Sequence, residues 1–127
     1  MKTLMALAFT ALSFTAFAQS AYALAPLEER DVNGVTIVVA ANGLTVYTFD
    51  ADKTTESTCY NACEKAWPPV VVASAEGIQA PVGVTTRKDG KIQLTLDGKP
   101  VYFYIGDEAP GDINGDGVGG VWHLIKR

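Results

Sequence analysis

Apolar and polar positions alternate in short runs along most of the chain, and each run stops at a turn dipeptide. Val35, Ile37 and Val39 alternate between Asn33-Gly34 and Asn42-Gly43, while Ile92, Leu94 and Leu96 alternate between Asp89-Gly90 and Asp97-Gly98. A period of two places such residues on one face of a strand. Asn-Gly and Asp-Gly supply the positive φ angles of a type I′ hairpin. Each stretch therefore predicts a three-stranded meander, the first of them starting near Leu27–Val32. Val70–Ala73 and Val121–Ile125 predict further strands. No run carries the spacing of a long amphipathic helix; one short helix is expected near Thr58–Ala66, capped by Ser57 or Thr58 and stopped by Pro68-Pro69.

The two meanders are copies of each other. A shift of 55 residues carries Ile37 to Ile92, Gly43 to Gly98, Val46 to Val101, Tyr47 to Tyr102, Phe49 to Tyr104, Asp52 to Asp107 and Trp67 to Trp122. Tryptophan occurs only twice in the chain, and both copies fall in phase. Repeats at about 27–73 and 82–127 follow. Two units are too few for an open solenoid, so they are expected to pack about a pseudo-twofold axis. The predicted fold is all-β, a small sandwich or partly closed barrel of about seven to eight strands.

The first 23 residues read differently. Lys2 precedes an uncharged apolar stretch from Leu4 to Phe17, and small residues sit where a signal peptidase would cut, after Ala18 or after Ala23. The stretch is shorter than the roughly 20 residues that cross a bilayer. A cleaved signal peptide is expected, with a single β domain over 24–127. Its removal takes both methionines, Met1 and Met5, and one of the ten Lys and Arg, leaving nine cations against fourteen carboxylates. An acidic domain without a basic cluster excludes nucleic acid as an expected partner and is a poor electrostatic match for anionic lipid. No transmembrane segment and a monomeric state are expected of the mature chain.

The stretch Tyr47-Thr48-Phe49-Asp50-Ala51-Asp52 fits the pattern Y-x-[FWY]-x-x-D, as does Tyr102-Phe103-Tyr104-Ile105-Gly106-Asp107. With Cys59-x-x-x-Cys63, Ala66-Trp67-Pro68-Pro69 and Gly119-Gly120-Val121-Trp122-His123, the chain resembles the bacterial secreted-repeat proteins known as predicted lipoproteins with a Yx(FWY)xxD motif. That resemblance implies an exported cell-envelope protein of unknown activity. Neither cysteine directly follows the signal, so no residue is placed for acylation, and a periplasmic or secreted form is expected.

Within the motif, Tyr47 and Phe49 share one strand face, as do Tyr102 and Tyr104. Asp52 and Asp107 fall just past the strand ends, where a carboxylate accepts N–H bonds from the next turn. The expected reading is a duplicated aromatic core with two turn-locking aspartates; the competing reading is a pair of aromatic platforms for sugar or peptide. Cys59 and Cys63, four residues apart and the only cysteines, suit a structural disulfide on a helical turn. His123 is the only histidine, too few for a blue-copper site, and no nucleophile elbow surrounds any serine.

The loop Asp112-Ile113-Asn114-Gly115-Asp116-Gly117 matches the first half of a calcium-binding loop, but its twelfth position, normally Glu, is His123. The expected function is a non-catalytic binding or structural module that meets an envelope protein or glycan, with no cofactor and no catalytic residues. The alternative is a metal-binding protein, with calcium at Asp112, Asn114 and Asp116 or a transition metal at His123. A carboxylate hydrolase built on Asp52 and Asp107 ranks last.

Overall fold

The structure, a computed structural model, describes residues 24–127, so the expected signal peptide lies outside the described residues. Eight short strands run in order: β1 (Glu28–Val32), β2 (Val35–Val39), β3 (Tyr47–Phe49), β4 (Val71–Val72), β5 (Val82–Thr86), β6 (Ile92–Leu96), β7 (Lys99–Pro100) and β8 (Trp122–Leu124). Among the described residues one helix, α1 (Ala62–Ala66), precedes β4, and one 3-10 turn, Val118–Gly120, precedes β8. The architecture is a small all-β sandwich without a closed barrel.

Two of the four turn dipeptides form the expected two-residue hairpins. Asn33 and Gly34 (φ 51° and 82°) join β1 to β2, with Val32 facing Val35. Asp97 and Gly98 (φ 52° and 80°) join β6 to β7, with Leu96 facing Lys99. Asn42-Gly43 and Asp89-Gly90 instead end three-residue loops. The Ala40 N–H donates to Leu44 O and the Arg87 N–H to Lys91 O, so each loop holds one more residue, and only its glycine takes positive φ. A left-handed glycine closing a three-residue loop is the next most common hairpin solution.

The extra residue sits in the first hairpin of the second repeat and in the second hairpin of the first. Strand β2 therefore maps onto β6 with an offset of 56 rather than 55: Val38 superimposes on Leu94 and Ala40 on Leu96. The offset of 55 returns at Gly43 and Gly98. By pairing register, the partner of Ile37 is Gln93, one residue past the Ile92 that the sequence suggested.

Strand pairing crosses between the repeats. Val71 of β4, at the end of the first repeat, pairs with Gln93 of β6 in the second. Reciprocally, Lys126, at the end of the second repeat, bridges to Ile37 of β2 in the first. Strand β3 lies antiparallel to β8, with Phe49 facing Trp122, and Tyr102 bridges to Pro69. Tyr47 and Tyr102 face each other and exchange both backbone bonds, at 2.8 and 3.0 Å. A residue paired with its own copy places the pseudo-twofold axis between them.

Burial follows the same symmetry. One apolar cluster joins Val38, Ala40 and Val46 to Leu94, Leu96 and Val101; the other consists of Tyr47, Cys59, Trp67, Tyr102 and Trp122. Helix α1 is shorter than expected, and its N-cap is Asn61 with no side-chain cap bond, not Ser57 or Thr58. Those two hydroxyls are recruited elsewhere: Ser57 bonds Tyr102 and Thr58 bonds Asp52.

Candidate functional site

The two motifs meet at the axis, and each completes the other. Tyr47 Oη donates to Asp107 Oδ2 at 2.6 Å, and Tyr102 Oη donates to Asp52 Oδ2 at 2.6 Å. Tyrosine and aspartate of one six-residue motif are therefore never partners; each reaches across to the other repeat. The remaining carboxylate oxygen of each aspartate holds its own turn, as the sequence suggested. Asp52 Oδ1 accepts from Thr58 N (2.8 Å) and Thr58 Oγ1 (2.6 Å), and Asp107 Oδ1 accepts from Asn114 N (2.9 Å).

Each phenol oxygen also accepts one bond. For Tyr47 the donor is Gly115 N at 3.1 Å. For Tyr102 it is Ser57 Oγ at 2.6 Å, because the single phenolic proton is committed to Asp52. The disulfide-bearing segment of one repeat and the glycine-rich loop of the other thus perform the same task with different atoms. Both tyrosines are fully enclosed, and both aspartates are 5–7% exposed. Burial first, and then the bonded carboxylate, push both phenols above their ordinary value.

The rings form an ordered stack. Phe49 lies on Trp122 at 4.1 Å, Trp122 on Trp67 at 3.8 Å, and Trp67 on Tyr104 at 4.2 Å. Tyr47 meets Trp67 edge-on at 5.5 Å and Tyr102 meets Trp122 edge-on at 5.2 Å. Both stacking modes are favourable ring geometries. Tyr47 and Tyr102 are therefore interior, with Phe49 and Tyr104 half-buried at the ends of the stack, which decides between core and open platform in favour of core.

Gly115 touches this interior directly. A Cβ there would stand 2.8 Å from Tyr47 Cζ and 2.9 Å from two atoms of the Trp67 ring. Neither ring can yield, because each is stacked or hydrogen-bonded on its far side. Gly115→Ala is expected to cost about 1–3 kcal/mol by overpacking, read from the denaturation midpoint. A variant as stable as the parent would refute this packing.

The calcium-like loop is tied through its own backbone. Asp112 Oδ2 accepts from Glu108 N and Ala109 N, Asp116 Oδ1 accepts from Leu124 N, and Asn114 Nδ2 donates to Gly106 O. His123 Nε2 lies 2.9 Å from Asp50 Oδ2, just past the end of the neighbouring β3, both half-exposed. Among the described residues, no group of three or more His, Cys, Asp or Glu converges to hold a metal ion. Cys59 and Cys63 are joined as a disulfide, with Cα atoms 5.3 Å apart.

One polar centre escaped the sequence reading. Arg87, wholly buried, donates to Ser57 Oγ (2.8 Å), Gln93 Oε1 (2.8 Å), Cys59 O (2.6 Å) and Glu64 Oε1 (2.6 Å). It clamps the disulfide segment onto the second repeat and, through Ser57, supports Tyr102. Its counterpart in the first repeat is Val32. A charged residue where the other copy has an aliphatic one is the signal that would have found it.

No match was found among curated proteins or among solved structures. No helix among the described residues is long and apolar enough to cross a membrane. A family model described as a secreted repeat of unknown function matches twice, over residues 33–71 and 83–126, the two halves that interlock here. By that doubled match, over most of the domain whose ring stack and crossed tyrosine–aspartate pairs have just been described, the chain belongs to the family of secreted repeats of unknown function.

Proposed function

We propose that this exported protein resides in the periplasm or is secreted, and that its duplicated domain is a non-catalytic binding or structural module. One observation carries the reading: the two motif carboxylates that could serve hydrolysis are spent inside. Asp52 and Asp107, the only carboxylate pair the repeat supplies for hydrolysis, are each committed to a tyrosine of the opposite repeat and to a turn of their own. Such pairs lock two halves together rather than leave room for an attacking water. An apolar groove of about 300 Å³ is lined by Pro26, Asn42, Val70, Val71 and Phe103 among others, and none of Tyr47, Asp52, Tyr102 or Asp107 lines it.

The test has two arms. Expression of the full chain is expected to deliver to the exported fraction a protein beginning at Gln19 or Leu24, with Cys59 and Cys63 oxidised. A screen against chromogenic glycosides and esters is expected to give no turnover above buffer. Turnover by the parent that disappears in a folded Asp52→Asn variant would overturn the non-catalytic reading, and retention of the whole precursor in the cytoplasm would overturn the export reading.

A further inference from the structure

The ring stack has a composition that packing alone does not require. Four rings lie face to face at 3.8–4.2 Å, and at each inner tryptophan an edge-on tyrosine donates its proton to a buried carboxylate 2.6 Å away. A phenol loses an electron far more readily when its proton has an acceptor already in place, and stacked indoles share a positive charge. The usual competitors for oxidising equivalents are missing. Thiols and thioethers are the side chains oxidised first, yet the described residues contain no methionine, and both cysteines are in the disulfide.

We propose that the array is a one-electron relay that accepts oxidising equivalents from outer-sphere one-electron oxidants reaching the envelope. The electron leaves through the half-buried outer rings, Phe49 and Tyr104, and the stacked tryptophans; the vacancy settles on Tyr47 or Tyr102. The step balances as Tyr–OH plus Asp–COO⁻ plus oxidant giving Tyr–O• plus Asp–COOH plus the oxidant reduced by one electron. The proton moves only along the existing hydrogen bond, from Tyr47 to Asp107 or from Tyr102 to Asp52. A one-electron reductant reverses the step, returning the proton to the phenol. Tyr60 supplies an internal contrast. Its ring lies beneath Arg87 (4.3 Å) and Lys88 (5.1 Å), and its hydroxyl accepts a bond from Lys88 N. Two cations on the ring and no carboxylate at the hydroxyl oppose its oxidation.

The experiment treats the purified exported protein with hexachloroiridate(IV) at neutral pH and follows oxidant consumption by stopped flow and the product by electron paramagnetic resonance. A neutral tyrosyl signal is expected, formed more slowly in deuterium oxide because the proton moves with the electron. The Tyr47→Phe/Tyr102→Phe variant is expected to lose that signal and to show a tryptophan radical instead. The Tyr60→Phe/Tyr104→Phe variant, which keeps both buried pairs and makes the outer rings alike, is expected to retain it. A tyrosyl signal that persists in the first variant, or vanishes in the second, overturns the proposal. Should the first variant fail to fold, the second alone still decides. The non-catalytic reading above is untouched by either outcome, since it concerns hydrolytic turnover.

Discussion

Trp122→Ala is expected to remove about 3–5 kcal/mol of stability, the usual cost of emptying a large aromatic site in a core. Against a total of roughly 5–15 kcal/mol for a domain of this size, that is a large fraction of the whole. The thermal midpoint is expected to fall by on the order of 20 °C. The cost is large because three rings lose a neighbour at once. Trp122 is stacked between Phe49 and Trp67 and meets the edge of Tyr102. Collapse cannot recover those contacts, since Phe49 is held in β3 by its pairing with β8 and Trp67 is fixed at the end of α1, where its N–H donates to Cys63 O at 2.8 Å. Val121→Ala, one residue away and 38% exposed, is expected to change stability by no more than about 0.5 kcal/mol. Urea denaturation of the two variants beside the parent is the measurement; similar midpoints for both would show that the stack contributes little.

Alkaline pH is expected to unfold the domain earlier than its net charge would suggest. In the unfolded chain a tyrosine loses its proton near its ordinary value of 10.0, whereas in the fold burial and a bonded carboxylate raise Tyr47 and Tyr102 above it. The sign follows directly. Above pH 10 the unfolded chain has released two protons that the folded chain still holds, so rising pH favours unfolding. Stability from these two groups is intact below about pH 9. Beyond pH 10 it falls at about 1.4 kcal/mol per pH unit for each tyrosine, or about 2.7 for both. The loss continues until the pH reaches the raised folded values. Tyr102→Phe is expected to halve that slope, with the free energy of unfolding measured at half-unit steps from pH 8 to 11.5. A parent whose stability stays level from pH 10 to 11 would contradict the enclosed phenol–carboxylate pairs.

Much of this interior was legible from spacing alone. Trp67 and Trp122 in phase with Tyr47 and Tyr102 indicated a duplicated core, and the single cysteine pair indicated its staple. The Tyr and Asp of one motif stand five residues apart, which suggests a local bond. A strand of three residues cannot fold back on itself, so the bond is instead made to the copy across the axis. Hairpin loop lengths were less legible, because Asn42-Gly43 and Asp89-Gly90 suit either a two-residue or a three-residue turn. Only cross-strand pairing fixes the choice, and with it the one-residue slip that sets Ile37 opposite Arg30 and Gln93 opposite Thr85. Arg87 was hidden for another reason. The mismatch with Val32 marks the position, but burial of a cation is unfavourable without partners, and the four acceptors of its two terminal nitrogens come from a distant loop, a helix and a strand that one position does not reveal.

The crossing of final strands between the halves bears on ancestry and valency. A polypeptide carrying just one such unit would expose the free edge of its second strand and half of a ring stack, and a second identical molecule would complete both. Single-unit relatives are accordingly expected as symmetric dimers. In this chain the connector between Ala73 and Pro81 supplies that neighbour in cis, at a local concentration on the order of millimolar for a short tether, so assembly no longer depends on how much protein the cell exports.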